Sequence, residues 1–323
     1  MKKYIVTGGC GFIGSHLVSR LIVEGYQVVV IDDLSSGWLT YIPYTHKNVT
    51  FIKTDISNNE QLKLHYDVFR GAECVFHLAA QARIQPTLEN PHLCHDVNIT
   101  GMLNILEMMR ALNIKNIVFS ASSSSYGLVN PCPQSEGMPV DCLNPYSMSK
   151  HIGELYIKTW AKLYGLSGIC LRYFNVFGPR EVLVGQYAPV VGIFFRQVYQ
   201  DKTPMTIVGD GEQRRDFTFV RDVVRANIMA MEAQEKDQYL GVVMNVGSGK
   251  NYSVNQVKDL VAKITDMPTS YFINTPSRPA EAKETLADIS RITNALGWKP
   301  EYNLETALPE LNAHYREKFG VYG

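Results

Sequence analysis

Apolar residues in the first half of the chain fall into short consecutive runs. These are Tyr4-Ile5-Val6-Thr7, Val28-Val29-Val30-Ile31, Val49 to Ile52, Cys74-Val75-Phe76-His77-Leu78, Ile117-Val118-Phe119-Ser120 and Gly168 to Tyr173. Runs that are apolar on successive positions mark strands buried on both faces. Between them, Phe12 to Glu24 carries Ile13, Leu17, Leu21 and Ile22 at helical spacing, and Val97–Leu112 and Tyr146–Tyr164 read as helices too. Strands alternating with helices predict an α/β fold, a doubly wound parallel sheet. The second half is less regular. Strand-like pieces at Met205–Val208, Phe217–Val220, Val242–Val246 and Tyr271–Ile273 are separated by helices and Pro/Gly turns. The pattern predicts a first domain over 1–174, rejoined by 217–250, and a smaller mixed α/β domain over 175–323.

Composition narrows the class. Lys plus Arg and Asp plus Glu are both 31 in 323 residues, so the chain is neutral and lacks the charge that nucleic acid or an anionic membrane attracts. Hydrophobic residues at 46% and charged residues at 19% fit a folded globular protein. No apolar run approaches the ~18 residues that span a bilayer. The N-terminal stretch meets Gly8-Gly9 before a secretory apolar region could form. The cysteines at 10, 74, 94, 132, 142 and 170 show no metal-ligand spacing and read as free thiols. A soluble cytoplasmic protein without a metal site is expected.

Gly8-Gly9-Cys10-Gly11-Phe12-Ile13-Gly14 follows a predicted strand and opens a predicted helix. Glycines there allow a tight turn and let backbone N–H groups approach a pyrophosphate at the helix N-terminus. Asp32 follows at the end of the second strand, about 20 residues on, where a carboxylate accepts hydrogen bonds from a ribose diol. It would repel a 2′-phosphate, which selects NAD over NADP. This is a Rossmann-type pattern. Asp55-Ile56 ends the third strand, where an adenine would lie, although Asp55 also suits a helix N-cap. Leu78-Ala79-Ala80 ends the fourth with small residues, suited to a flat ligand or to packing alone.

Tyr146-Ser147-Met148-Ser149-Lys150 places a phenol and an ammonium four apart, on one helix face. A phenol titrates near 10, and moving it by roughly 3 units takes about 4 kcal/mol of differential interaction. Lys150 and a nicotinamide cation would supply that stabilisation. The serines from Ser120 to Ser125 lie at the carboxyl end of the fifth strand, where ligands bind in such sheets. A hydroxyl there can bond a substrate hydroxyl that Tyr146 deprotonates, or simply satisfy its own turn.

Together these residues resemble the extended short-chain dehydrogenase/reductase family, specifically the nucleotide-sugar epimerases. The likeness covers nearly the whole chain. It continues through Arg172-Tyr173-Phe174-Asn175-Val176-Phe177-Gly178-Pro179-Arg180, Gly209-Asp210-Gly211, Arg215-Asp216-Phe217, Asn245-Val246-Gly247-Ser248-Gly249, Arg278-Pro279 and Leu286-Ala287-Asp288. The resemblance implies tightly held NAD contacted by Gly8, Gly11, Phe12, Ile13, Gly14, Asp32, Asp33, Ser36, Gly37, Asp55, Ile56, Leu78, Ala79, Ala80, Asn98, Ser120, Tyr146, Lys150 and Tyr173. It implies Tyr146 as the base toward a sugar C4 hydroxyl, with Ser122, Ser123 and Lys150 completing the catalytic group. Ser122, Ser123, Ser124, Asn175, Arg215, Arg278, Glu281 and Thr285 would bind a UDP-sugar, the arginines through bidentate contacts to diphosphate.

The family's size-determining position is Thr285, just before Leu286-Ala287-Asp288. A residue this small implies room for a 2-acetamido group, hence UDP-GlcNAc/UDP-GalNAc beside UDP-Glc/UDP-Gal. Arg83 opens an alternative, since it could face the carboxylate of UDP-glucuronate or be a surface residue. Another alternative is a non-catalytic NAD-binding sensor on the same fold. A dehydratase of this family would need an acid pair at the serine turn, and it fits poorly because 122–125 is all Ser. A homodimer is implied, pairing helices near 98–112 and 147–164. Ile105, Leu106, Met109, Ile152, Leu155 and Ile157 are available for that contact or for the chain's own core.

Overall fold

The computed structural model describes residues 1–183, 189–276 and 282–321. Strands β1 (Lys3–Thr7), β2 (Gln27–Asp32), β3 (Val49–Lys53), β4 (Cys74–His77), β5 (Asn116–Ser122) and β6 (Ser167–Tyr173) follow the predicted runs within a residue or two. Four smaller strands come next: β7 (Val176–Phe177), β8 (Met205–Val208), β9 (Arg214–Asp216) and β10 (Thr218–Phe219). The last three are β11 (Leu240–Val246), β12 (Asn251–Ser253) and β13 (Phe272–Thr275). A seven-stranded sheet has the order β11-β6-β5-β4-β1-β2-β3. β1 pairs in parallel with β2 and β4, β2 with β3, and β4 with β5. The order reverses beside β1, which puts the carboxyl ends of β1 and β4 at the crevice where such sheets hold ligands. This is the expected Rossmann-type architecture.

The chain divides into two compact units. The first comprises 1–125, 142–172 and 224–244, and the second 126–141, 173–223 and 245–323. The returning segment is thus 224–244, shorter than the 217–250 read from the sequence. Residues 126–141 belong to the second unit rather than the first. Their ties explain this: Tyr126 donates to Asn245 at 2.7 Å, and Gln134 exchanges backbone hydrogen bonds with Leu286 and Asp288.

In the first unit, one face of the sheet packs a core that includes Val75, Ile117 and Phe119 against Met102, Ile105, Leu106, Met109 and Ile157. Ile105, Leu106, Met109 and Ile157 are fully buried within the chain, so they are core and not contacts for a second copy. Leu155 is 50% exposed and Ile152 half-buried. The helix predicted over Val97–Leu112 starts earlier, at Pro91–His95, passes through a π turn at Asp96–Thr100 and continues as an α-helix over Gly101–Ala111. Residue Gly101 sits against Ile56, whose side chain a Cβ would meet at 2.8 Å. In the second unit, Tyr126, Phe174 and Ala287 form a small core.

The Pro145–Tyr164 helix is capped by Asn144, whose side chain accepts from Ser147 N at 2.9 Å. Two buried groups fix it to the sheet. Lys150 Nζ donates to Ser120 O at 2.8 Å. Arg172 on β6 makes a fork to Glu154, Nε to Oε1 at 2.7 Å and Nη2 to Oε2 at 2.8 Å. Burial alone would raise the Glu154 carboxyl, but its bonds with Arg172 and His151 outweigh that and hold it below its ordinary value of 4.5. A carboxyl held down in this way stabilises the fold above its ordinary titration range, and that contribution is lost as pH falls through the lowered value. Glu154→Gln is expected to destabilise the protein by about 3 kcal/mol at neutral pH, because it leaves a buried guanidinium without its counter-charge. Denaturant unfolding at pH 7 and below 4.5 checks this, the gap from wild type narrowing in acid.

Candidate active site

In the first unit, the glycine loop joins β1 to the Phe12–Val23 helix. Gly8 has φ +67°, and a Cβ there would lie 2.7 Å from Ala79 N. A Cβ on Gly14 would collide with Gly8 O. Both positions therefore require glycine. Gly11 stands at the helix N-cap, with no side-chain cap and no acidic residue in the first turn. Such an N-terminus presents N–H groups and positive partial charge to an anion. Asp32 is 8% exposed and accepts from Cys10 N at 2.9 Å and Leu34 N at 2.8 Å. Burial raises its titration, against the pull of these two bonds. Two carboxylate oxygens accepting one bond each keep lone pairs for a diol. This cradle fits the pyrophosphate and ribose of NAD.

The remaining cofactor candidates divide. Gly37 lies against Cys10, and Trp38 N donates to Cys10 O at 3.0 Å, so the Ser36-Gly37 turn borders the glycine loop. Asp33 accepts from Ser35 N and Oγ and serves its own turn. Asp55 accepts from Ser57 N at 2.8 Å, an Asx turn rather than the helix cap it resembled. The Ile56 side chain is core. Leu78 N and Ala79 N both donate to Thr7 Oγ1, at 3.1 and 3.2 Å. Asn98, on the π turn, uses its amide within the chain, donating to Gln81 O and Ser149 Oγ and accepting from Gln81 N at 2.7 Å.

At the end of β5, Ser122 Oγ lies 2.8 Å from Ser124 Oγ, and its hydroxyl acts to lower the titration of the Tyr146 phenol. Ser123 and Ser124 belong to the short 3-10 turn that follows. Tyr146 keeps partial exposure, while Lys150 is 4% exposed with its ammonium 5.1 Å from the centre of the Phe119 ring. The phenol titrates above its ordinary value, raised by burial and only partly offset by the Ser122 bond. Lysine 150 is lowered to about 8 by burial. The chain's own residues thus leave the phenol protonated at neutral pH, and the expected lowering requires further positive charge.

His77, in the fourth strand, has no role assigned from sequence. Its ring nitrogen Nδ1 is 2.8 Å from Thr7 Oγ1, and it stacks on Phe119 at 5.8 Å. Burial and the Lys150 charge lower it to about 3, so it is neutral. Thr7 Oγ1 already accepts from Leu78 and Ala79, which assigns its proton to His77 Nδ1 and the ring proton to Nε2.

In the second unit, Tyr173 is 8% exposed at the end of β6. Asn175 has φ +26° and donates through Nδ2 to Asp216 O at 3.0 Å and Thr285 Oγ1 at 3.3 Å. Arg215, half-buried on β9, donates through Nη1 to Arg214 O. The structure therefore brings Asn175, Arg215 and Thr285 together. Arg278 and Glu281 lie outside the described residues. Asp216 and Asn245, which organise this region, fall within motifs that carry the resemblance but have no role assigned from sequence.

Residues 5–311 match the GDP-mannose 4,6 dehydratase family. A UDP-glucuronate 4-epimerase from Thermodesulfobacterium geofontis is 34% identical, with 95% of this chain and 94% of the relative covered. A Thermotoga maritima UDP-glucose 4-epimerase crystallised with UDP-glucose is 35% identical with a TM-score of 0.91, covering 98% of this chain and 99% of that one. A UDP-N-acetylglucosamine 4-epimerase from Methanobrevibacter ruminantium, solved with UDP-N-acetylmuramic acid, is 33% identical with a TM-score of 0.90 and the same coverage. Glycine loop, paired Tyr146 and Lys150, sheet order and these matches agree, and the chain belongs to the GDP-mannose 4,6 dehydratase family of extended short-chain dehydrogenase/reductases.

Proposed function

We propose that this chain is an NAD-dependent UDP-sugar 4-epimerase that interconverts UDP-GlcNAc with UDP-GalNAc and UDP-Glc with UDP-Gal. The observation that carries the reading is the pairing of the Tyr146 phenol with the buried Lys150 ammonium one helical turn on, with Ser122 acting on the phenol, in the unit that carries the glycine cradle. Bound NAD⁺ would supply a hydride acceptor, later a donor, and the positive charge that the phenol lacks. Ser122 would hold the C4 hydroxyl while Tyr146 takes its proton. Lys150, anchored on Ser120 O, would hold the nicotinamide ribose and favour the phenolate. After the 4-keto sugar turns over so that C4 presents its other face to the hydride donor, Tyr146 would return the proton to the C4 oxygen. Asn175 and Arg215, with Arg278 and Glu281, would bind the UDP portion, and Thr285 would leave space at C2.

The homodimer belongs to this reading, supported by exposed Met148 and Leu155 on the Pro145–Tyr164 helix. Six free cysteines suit the reducing cytoplasm. No helix among the described residues is long and apolar enough to cross a membrane. A second reading, UDP-glucuronate 4-epimerase, is favoured by Arg83, a non-glycine residue with φ +78° at the loop after β4. NMR of the mixtures formed from UDP-Glc, UDP-GlcNAc and UDP-glucuronate separates the two.

Tyr146→Phe is expected to lower kcat by about 10³-fold with NAD still bound, the size of a lost general base. Turnover that survives would favour the sensor alternative or another base. Thr285→Tyr is expected to cut kcat/KM for UDP-GlcNAc by about 100-fold relative to UDP-Glc, since a clash discriminates strongly. Gly14→Ala is expected to yield protein with little co-purifying NAD, because the added Cβ overlaps Gly8 O. Absorbance at 260 nm after acid release measures it.

A further inference from the structure

Asp216 is the most heavily bonded carboxylate in the candidate recognition region, and no step of the proposed reaction uses it. It is fully buried. Oδ1 accepts from Ser248 N and Ser248 Oγ, both at 2.7 Å. Oδ2 accepts from Gly249 N and Ala287 N, both at 3.1 Å. Four donors from two separate segments therefore converge on one side chain. A Cβ on Gly247 would lie 2.8 Å from Oδ2, so the 247–249 turn approaches as closely as backbone can.

The backbone of the same residue organises the candidate ligands. Asp216 O accepts from Asn175 Nδ2 at 3.0 Å, and Asp216 N donates to Thr285 Oγ1 at 3.4 Å. Arg215 is its neighbour on β9, which pairs antiparallel with β12. On the other side of β9, Arg214 N donates to Lys283 O and Thr285 N to Arg214 O. One short strand thus lies between β12 and the 283–285 segment. Its last side chain ties both of their continuations, at Ser248-Gly249 and at Ala287.

We infer that Asp216 is the positioning residue of the recognition set, its buried carboxylate holding Arg215, Asn175 and Thr285 in register for the nucleotide sugar. This rests on the functional reading above, which assigns those three residues to substrate. A buried carboxylate that loses its charge, or receives an amide facing N–H donors, leaves those donors unsatisfied and frees the segments they anchor. The reacting groups Tyr146, Lys150 and Ser122 belong to the other unit, which carries the glycine cradle as well. The effect should therefore fall on substrate binding and not on the chemical step.

The test uses NAD-loaded protein, initial rates with UDP-GlcNAc and UDP-Glc, and calorimetric titration with UDP. Asp216→Asn is expected to raise KM for both sugars and the Kd for UDP by about tenfold, with kcat within about twofold and bound NAD unchanged, as for loss of a buried charge-assisted anchor. Ser248→Ala removes one donor and keeps the backbone bond, and it should raise KM and Kd by about threefold. It decides the matter should Asp216→Asn fail to fold. Unchanged KM and Kd in a folded variant overturn the inference, and so does a fall in kcat at constant KM. Wild-type protein inert toward every UDP-sugar and without affinity for UDP would instead fail the functional reading, whereas active wild type with unaffected variants fails this inference alone.

Discussion

An ammonium group removed from water must be solvated by the protein around it, and Lys150 shows how this chain does so. One proton bonds the carbonyl at the end of β5, and the aromatic face of Phe119 lies beneath the charge. Burial still lowers its titration to about 8, so the group stays largely charged at neutral pH, though with a smaller margin than a surface lysine. The position of the Pro145–Tyr164 helix follows from that contact together with the Glu154–Arg172 fork one turn on. Tyr146 is then carried to Ser122 by helix geometry alone, since residues four apart share a face. A local salt-bridge arrangement and one lysine–carbonyl bond thus set the geometry of the reactive hydroxyls.

Consecutive apolar residues locate β1 to β6 because parallel strands are covered on both faces and need no alternation. The glycine loop was legible for a related reason, since its constraints are local: a left-handed turn at Gly8 and a close approach at Gly14 admit no side chain. Pairing Tyr146 with Lys150 needs only helical spacing. The likeness to nucleotide-sugar epimerases added what spacing could not, namely the order of motifs beyond Arg172 and a role for Thr285.

What stayed hidden depends on distant contacts. The 126–141 segment joins the second unit through Tyr126 with Asn245 and Gln134 with Leu286 and Asp288, pairs separated by more than a hundred residues. Nothing in 126–141 itself announces those partners. Nor does the sequence show that Asn98, a cofactor candidate, sits on a π turn and bonds Gln81 and Ser149. A π turn arises where an extra residue is fitted into a helix, which a period of 3.6 does not register. Asp55 and Ile56, cofactor candidates, also have local roles that sequence does not show, an Asx turn and a core side chain.

His77 carries a consequence for proton traffic. Thr7 donates to one ring nitrogen, two main-chain N–H groups fix the Thr7 oxygen, and burial, aided by the nearby lysine charge, disfavours a second ring proton. Imidazole is the side chain through which proteins usually answer acidity near neutrality. Here it is reduced to an inert spacer between two strands. The group that titrates nearest neutrality at the end of β5 is therefore the Lys150 ammonium and not this imidazole.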